Sequence, residues 1–132
     1  WFQGRAEFGP RALGNRSILV DPRRTDAKDL LNEKIKRRES FRPFAPSILA
    51  EYVDEYFEVN DKVPFMEKVF PIKKEKHSII PAVTHVDGTG RLQSVEKEFS
   101  PRYHAYRQRL GPFLKRKRFF VPRFIVKQRP IG

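Results

Sequence analysis

Residues 1–24, WFQGRAEFGPRALGNRSILVDPRR, set Gly4, Gly9, Pro10, Gly14 and Pro22 among the cationic side chains of Arg5, Arg11, Arg16 and Arg23. Fixed and permissive backbone positions therefore alternate with planar guanidinium forks, and the segment reads as a loop whose path is dictated by its glycines and prolines. Such a loop can bring main-chain N–H groups and a guanidinium onto one phosphate or carboxylate oxygen. Standing alone, the same composition is more often that of a surface turn with solvated arginines.

At 132 residues the chain has the length of one domain with a modest core. The 28 Lys and Arg against 16 Asp and Glu give a net charge of +12, which favours polyanionic partners: nucleic acid, nucleotide phosphate or a membrane surface. With no cysteine, disulfides and thiolate metal sites are excluded, and His77, His85 and His104 lack zinc-site spacing. Apolar runs of a few residues are too short for a membrane span, and a cytoplasmic protein is expected. With the dense motif beginning at Trp1 and no Met before it, a piece of a longer protein is the expectation.

Further along, SILVD (residues 17–21) reads as a buried strand closed by Asp21-Pro22. Thr25-Asp26 caps a helix with Ala27, Leu30, Leu31 and Ile35 at helical spacing up to about Arg38. FRPFAPSILAE is extended or irregular in its first half because of Pro43 and Pro46, and EYVDEYFE supplies a second helix with Tyr52, Val53, Tyr56 and Phe57. IKKEKHS is a solvated loop. IIPAVTHV and LQSV read as two strands of a hairpin around DGTGR, and a short helix follows through Tyr103, Tyr106 and Leu110. Residues 112–132 then carry seven Lys and Arg, three prolines and no acid.

Besides the opening loop, two groups of residues have chemical potential. In KIKRRESFRPF, Lys36, Arg38 and Arg42 surround Glu39 and alternate with Phe41 and Phe44. Cations at a helix end are favoured by the helix dipole without any ligand, yet Glu39 neutralises only one neighbour, and preorganised cations serve phosphoryl or adenylyl chemistry. In HVDGTGR, His85, Asp87, Thr89 and Arg91 meet around a glycine turn, where Asp87 either caps its own turn or joins a ligand site.

Taken in series, WFQGRAEFGPRALGNRSILVDPR, KIKRRESFRPFAPSILAE, PFM at Pro64 to Met66 and IPAVTHVDGTGRLQSV resemble the C-terminal domain of the O-carbamoyltransferases of nodulation-factor and antibiotic tailoring. The likeness runs over residues 1–106, leaving 107–132 as a divergent basic tail in place of the family's last strand. It implies an α/β (α+β) fold, a YrdC-like twisted mixed sheet flanked by helices and incomplete at its C-terminus. An N-terminal domain of the actin-like ATPase kind is implied as a partner missing from this sequence. The implied substrates are ATP and carbamoyl phosphate, which give carbamoyl adenylate for transfer to a small-molecule hydroxyl acceptor; any metal would belong to the other domain. Lys36 and Arg38 match the YrdC-type K-x-R signature and are the implied catalytic residues. Arg11, Arg16 and Ser17 match the opening motif, and with Arg5, Arg42, His85, Asp87, Thr89 and Arg91 they form the expected phosphate-binding set. Physically, two anions are brought together only by several fixed cations.

The tail departs from that pattern. The signature's S-x-N half falls on Arg123 and Ile125, which supply neither a hydroxyl nor an amide. KRKR stands where a buried apolar strand is expected, so displacement of the tail and an impaired isolated chain are the expectation. FLKRKRFFVPRF, in which aromatics alternate with cations, supports a different reading as an RNA-binding module. A non-functional remnant is the third.

Overall fold

The computed structural model describes residues 1–113 and 123–125, with side chains through residue 109. Helix α1 spans Ala27–Leu30 and continues without a break as a π-helical stretch, Leu31–Lys36. Strand β1 (Ala45–Leu49) leads into a 3-10 turn (Ala50–Tyr52) and helix α2 (Val53–Tyr56). Then come β2 (Phe70–Pro71), a 3-10 turn at Lys74–Lys76, β3 (Thr89–Gly90), β4 (Gln93–Val95), α3 (Pro101–Phe113) and β5 (Arg123–Ile125). The mixed α/β class expected from the sequence is what the chain adopts.

A three-stranded sheet of order β4-β1-β5 sits at the centre. Strand β1 pairs parallel with β4 (Ser47 opposite Gln93, Leu49 opposite Val95) and antiparallel with β5 (Ala45 opposite Ile125, Ser47 opposite Arg123). All five β1 residues are buried, as befits a strand covered on both faces. Its side chains alternate between two cores. Phe44 and Ile48 join Ala27, Leu31, Val53, Tyr56, Phe57, Ile72, Ile80 and Leu92; Ala45 and Leu49 join Ala12, Met66, Val95 and Tyr103. Pro46, which has no N–H to donate, lies outside the β1–β4 register, so the parallel ladder loses nothing to it.

Four local expectations are corrected. Residues 17–21 form no strand: the opening segment pairs instead through residues 1–3 and 15–17, with Gln3 N donating to Asn15 O at 2.9 Å, Ser17 N to Trp1 O at 3.0 Å, and a bridge between Phe2 and Arg16. The apolar residues of that run are divided, with Leu19 packed on one core, Val20 on the other and Ile18 exposed. Asp26 stands at the N-cap of α1 but does not cap it, because its carboxylate is taken by the Arg24 guanidinium (2.9 and 2.6 Å). Within the helix, Asn32 is buried and Ile35 exposed, the reverse of what their polarity suggests.

The fourth correction concerns the hairpin. The turn exists, with His85 N donating to Thr89 O at 2.8 Å and Gly88 N to His85 O at 3.0 Å, but IIPAVTHV is a succession of turns in which Thr84 Oγ1 donates to Ile80 O. Pro81 has no N–H for a ladder, β3 pairs with β2, and β4 goes to β1. The expected helix through Tyr103 and Tyr106 is α3. Of the basic tail, residues 107–113 continue α3 and Arg123–Ile125 enter the sheet; the expected displacement of 114–122 and 126–132 concerns residues outside those described.

The opening segment is packed onto α3. Trp1 stacks on Tyr106 with ring centroids 4.2 Å apart, and Gly14 passes directly over the buried Tyr103 ring. Gly14 has φ +112, and a Cβ there would lie 2.7 Å from Tyr103 Cδ1. Gly14→Ala is therefore expected to cost about 1–3 kcal/mol by overpacking alone, with backbone strain added. Urea unfolding of the two proteins checks this, and an equal midpoint would show that the loop does not rest on α3 in solution.

Candidate anion-binding site

The parallel pairing of β1 with β4 sets the chain segments that precede both strands side by side. Extending the register by two residues places Arg91 opposite Ala45, so the 38–44 segment and Arg91 enter at the same end of the sheet. The opening loop is brought there by Gln93, whose Nε2 donates to Leu13 O at 2.8 Å. A cleft of about 300 Å³ results, lined by Arg11, Arg38, Arg42, Pro43, Phe44, Ala45, Val69, His85 and Arg91. One cation from the opening loop, two from the segment after α1 and one from beyond the glycine turn thus share one space.

No carboxylate lines this cleft among the described residues. Glu39 lies nearby but is bound to Arg42 at 2.9 Å. Arg91 is held below its ordinary pKa first by burial and then by the charges of Arg11 and Arg38; Arg38 is lowered by burial and then by Arg42. Arg91 Nε is buried and has no hydrogen-bond partner among the described residues. A buried unmatched donor on a cation is costly, and an anion is the natural complement.

Arg38 is fixed from several sides. Residue Arg37 ends the helix in the left-handed conformation (φ 47), turning the chain toward the cleft. The guanidinium of Arg38 lies 4.9 Å from the Phe44 ring centroid and donates through Nε to Asn32 Oδ1 at 2.7 Å. Asn32 was not among the residues the sequence reading singled out. An amide at a buried position in the body of LLNEKIK is itself the available signal, since such a group is kept there only when fully bonded.

Other candidates are placed elsewhere. Lys36 is the last residue of the π-helical stretch and is not among the cleft-lining residues. Arg5 is exposed. Arg16 clamps the opening loop, with Nη1 donating to Gln3 O (2.6 Å) and Asn15 O (3.0 Å), Nη2 to Gly4 O (2.9 Å), and Phe2 stacked 3.4 Å from its Cζ. Ser17 is buried, and its Oγ has no partner among the described residues. The main-chain donors of the loop are already answered by Glu7, whose Oε1 accepts from Leu13 N (2.8 Å) and Asn15 N (2.6 Å). Glu7, a second residue the sequence reading passed over, supplies the loop's own anion, and Arg11 is left as its contribution to the cleft.

Around the glycine turn, Asp87 acts as the cap of its own turn, accepting from Thr89 N at 3.0 Å and Thr89 Oγ1 at 2.7 Å, and these bonds lower its pKa. Because the Thr89 hydroxyl proton is engaged by Asp87, Thr89 Oγ1 accepts from His85 Nδ1 at 3.1 Å. The neutral His85 ring therefore keeps its bare nitrogen at Nε2. His85 also lines a second cleft of about 400 Å³ with Lys28, Phe41, Pro43, Val86 and Asp87. Among the described residues there is no group of three or more His, Asp or Glu able to hold a metal.

With that geometry in view, the likeness to known proteins is decisive: the carbamoyltransferase C-terminus family model matches residues 1–116. The chain belongs to the carbamoyltransferase C-terminal family. It is 52% identical over 118 residues to nodulation protein NolNO of Sinorhizobium fredii, covering 84% of this chain and 17% of that protein. It is 54% identical over 106 residues to nodulation protein NolO of Bradyrhizobium diazoefficiens (78% of this chain, 19% of that protein). It is also 42% identical over 104 residues to the 3'-hydroxymethylcephem-O-carbamoyltransferase of Amycolatopsis lactamdurans (79% and 19%). The chain thus spans less than a fifth of the length of these relatives and corresponds to their C-terminal part. No described helix is long and apolar enough to cross a membrane.

The carbamoyltransferase domain carries a pH signature at its cleft. Burial pushes His85 below its ordinary 6.5, against the pull of Asp87 and with Arg91 and Lys28 adding to the depression. The folded state therefore binds fewer protons than the unfolded state below that value, so the contribution of His85 to stability is complete above pH 6.5 and is lost as pH falls. Thermal melts of the unliganded protein between pH 7 and 5 should show a decline that flattens in His85→Gln. An identical decline in both would place the titrating group elsewhere.

Proposed function

We propose that this chain supplies the site at which a carbamoyltransferase binds carbamoyl phosphate and ATP, giving carbamoyl adenylate whose carbamoyl group passes to a hydroxyl acceptor. The convergence of Arg11, Arg38, Arg42 and Arg91 on one cleft without a lining carboxylate is the observation that carries this reading. Two unit charges about 6 Å apart at an effective dielectric of about 20 repel by roughly 3 kcal/mol, and an anion between them reverses the sign. Guanidinium forks match phosphoryl oxygens two at a time, and held rigidly they stabilise charge that develops during transfer without rearranging.

In this reading Arg38 and Arg91 grip the phosphoryl group, Arg11 and Arg42 complete its neutralisation, and His85 offers Nε2 at the rim. Lys36 belongs to the same signature as Arg38 and is carried as a candidate for the ATP phosphates. The backbone of Arg123 and Ile125, where the signature's Ser and Asn would stand, lies opposite Ser47 and the cleft-lining Ala45 on β1. Lacking that hydroxyl and amide, the isolated chain is proposed to be an impaired site; the acceptor and the actin-like ATPase-type domain belong to the longer protein. The RNA-binding reading rests on the aromatic and basic run of the tail, most of which lies outside the described residues, and the described cleft favours a small anion.

Isothermal titration of the chain with carbamoyl phosphate, and separately with ATP, tests the proposal. Arg38→Ala and Arg91→Ala should each weaken carbamoyl phosphate binding by about 10-fold or more, as expected for loss of a charge-assisted contact. Arg5→Ala, outside the cleft, should change it by less than about 2-fold, and Lys36→Ala should act mainly on ATP. Equal affinities for the original, Arg38→Ala and Arg91→Ala proteins would remove the cleft from consideration.

A further inference from the structure

We infer that Asn32 is a positioning residue of this cleft: one buried amide sets both the Arg38 guanidinium and the segment carrying Arg42, and thereby the grip on a phosphoryl anion. The inference rests on the reading of the cleft as a carbamoyl phosphate site.

The side chain of Asn32 is fully buried, next to Leu31 of the main core. An amide in such a place is tolerated only when its donors and acceptor are engaged. All of them are engaged on the segment that follows the helix. Nδ2 donates to Ser40 O at 3.0 Å and to Arg42 O at 2.9 Å, and Oδ1 accepts from Arg38 Nε at 2.7 Å. The direction of the amide is fixed by chemistry, since a guanidinium has only donors to offer and the two carbonyls only lone pairs. The backbone takes part as well: Asn32 O accepts from Arg37 N and from Arg38 N (3.0 Å).

Two consequences follow for the cleft. Arg38 has its Nε edge taken by Asn32 and one face near Phe44, so its Nη groups are what remains to meet an anion. The carbonyls of residues 40 and 42 are tied to the same amide, which fixes the chain path on which Arg42 stands. The π-helical turn beginning at Leu31 matters here, because the wider turn lets the Asn32 carbonyl take the N–H groups of residues 37 and 38, five and six positions on.

A residue that acts through Arg38 differs from a merely structural one in a double-mutant cycle on ligand affinity. Carbamoyl phosphate binding is measured for the original chain, Asn32→Ala, Arg38→Ala and the double variant, with the melting temperature of each. Asn32→Ala should weaken binding by about 10-fold in the original background and by about 3-fold or less once Arg38 is absent, the remainder acting through the Arg42 segment, while its loss of melting temperature is smaller where the bond to Arg38 is already gone. Equal affinity losses in the two backgrounds would overturn the positioning role and leave the cleft reading standing. Unchanged affinity in Arg38→Ala would overturn the cleft reading itself.

A second measurement does not depend on the folding of any Asn32 variant. In the unliganded original chain the Arg38 Nε–H resonance, assigned by its disappearance in Arg38→Ala, should exchange with solvent at least about 10-fold more slowly than that of exposed Arg5. Exchange as fast as Arg5 would show that Asn32 does not hold it.

Discussion

The parallel pairing of β1 with β4 is the contact on which the rest of the molecule depends. It joins residues 47–49 to 93–95 across more than forty positions of chain and gives β1 a neighbour. It also lets the alternating side chains of β1 divide between two cores, Ile48 on one side and Leu49 on the other. Long-range parallel pairing needs burial on both faces to be worth its loop-closure cost, and here both faces are covered. Every cleft arginine then owes its place to one end of that pair: Arg91 leads into β4, the segment with Arg38 and Arg42 leads into β1, and Arg11 is drawn in through Gln93 and Leu13.

Charge is managed unevenly around this frame. Arg16 is occupied with carbonyls of its own loop, Arg23 with Asp21 and Arg24 with Asp26. Glu7 answers the loop's main-chain donors and Asp87 its own turn. With those groups used for local structure, the positive charge that remains at the cleft is Arg11, Arg38, Arg42 and Arg91, of which Arg42 has Glu39. Burial of Arg91 and Arg38 makes that concentration of like charge costly, which is the physical basis of the proposal that the cleft takes an anion.

Much of the local structure could be read from the residues. The apolar spacing of Ala27 and Leu31 and the placing of Tyr103 on α3 gave elements where they were expected, whereas Pro43 and Pro46 implied only an extended or irregular start to FRPFAPSILAE and the central strand β1 was not expected. The errors share a cause. SILVD has the composition of a strand, yet its neighbours decide otherwise, because Leu19 and Val20 are claimed by different cores. LQSV is a strand, but its partner is β1 and not the segment just before the glycine turn, and no local pattern distinguishes those two edges. Asn32 and Glu7 escaped notice because an isolated polar residue gains meaning only from what surrounds it.

The sequence by itself determined the chemistry available to this protein: a surplus of cations, no thiols, glycines that free the opening loop, and motifs whose order marks a carbamoyltransferase C-terminal domain. Tertiary structure alone decided which of those cations work together. Arg5, Arg11 and Arg16 are equivalent as letters in one loop, but Arg5 stands exposed, Arg16 is tied to main-chain carbonyls and Arg11 reaches the cleft. The reason is that local propensity acts over a few residues, whereas the place of a guanidinium is set by contacts from Gln93, Asn32 and β1 that are distant in the chain and adjacent only once it is folded.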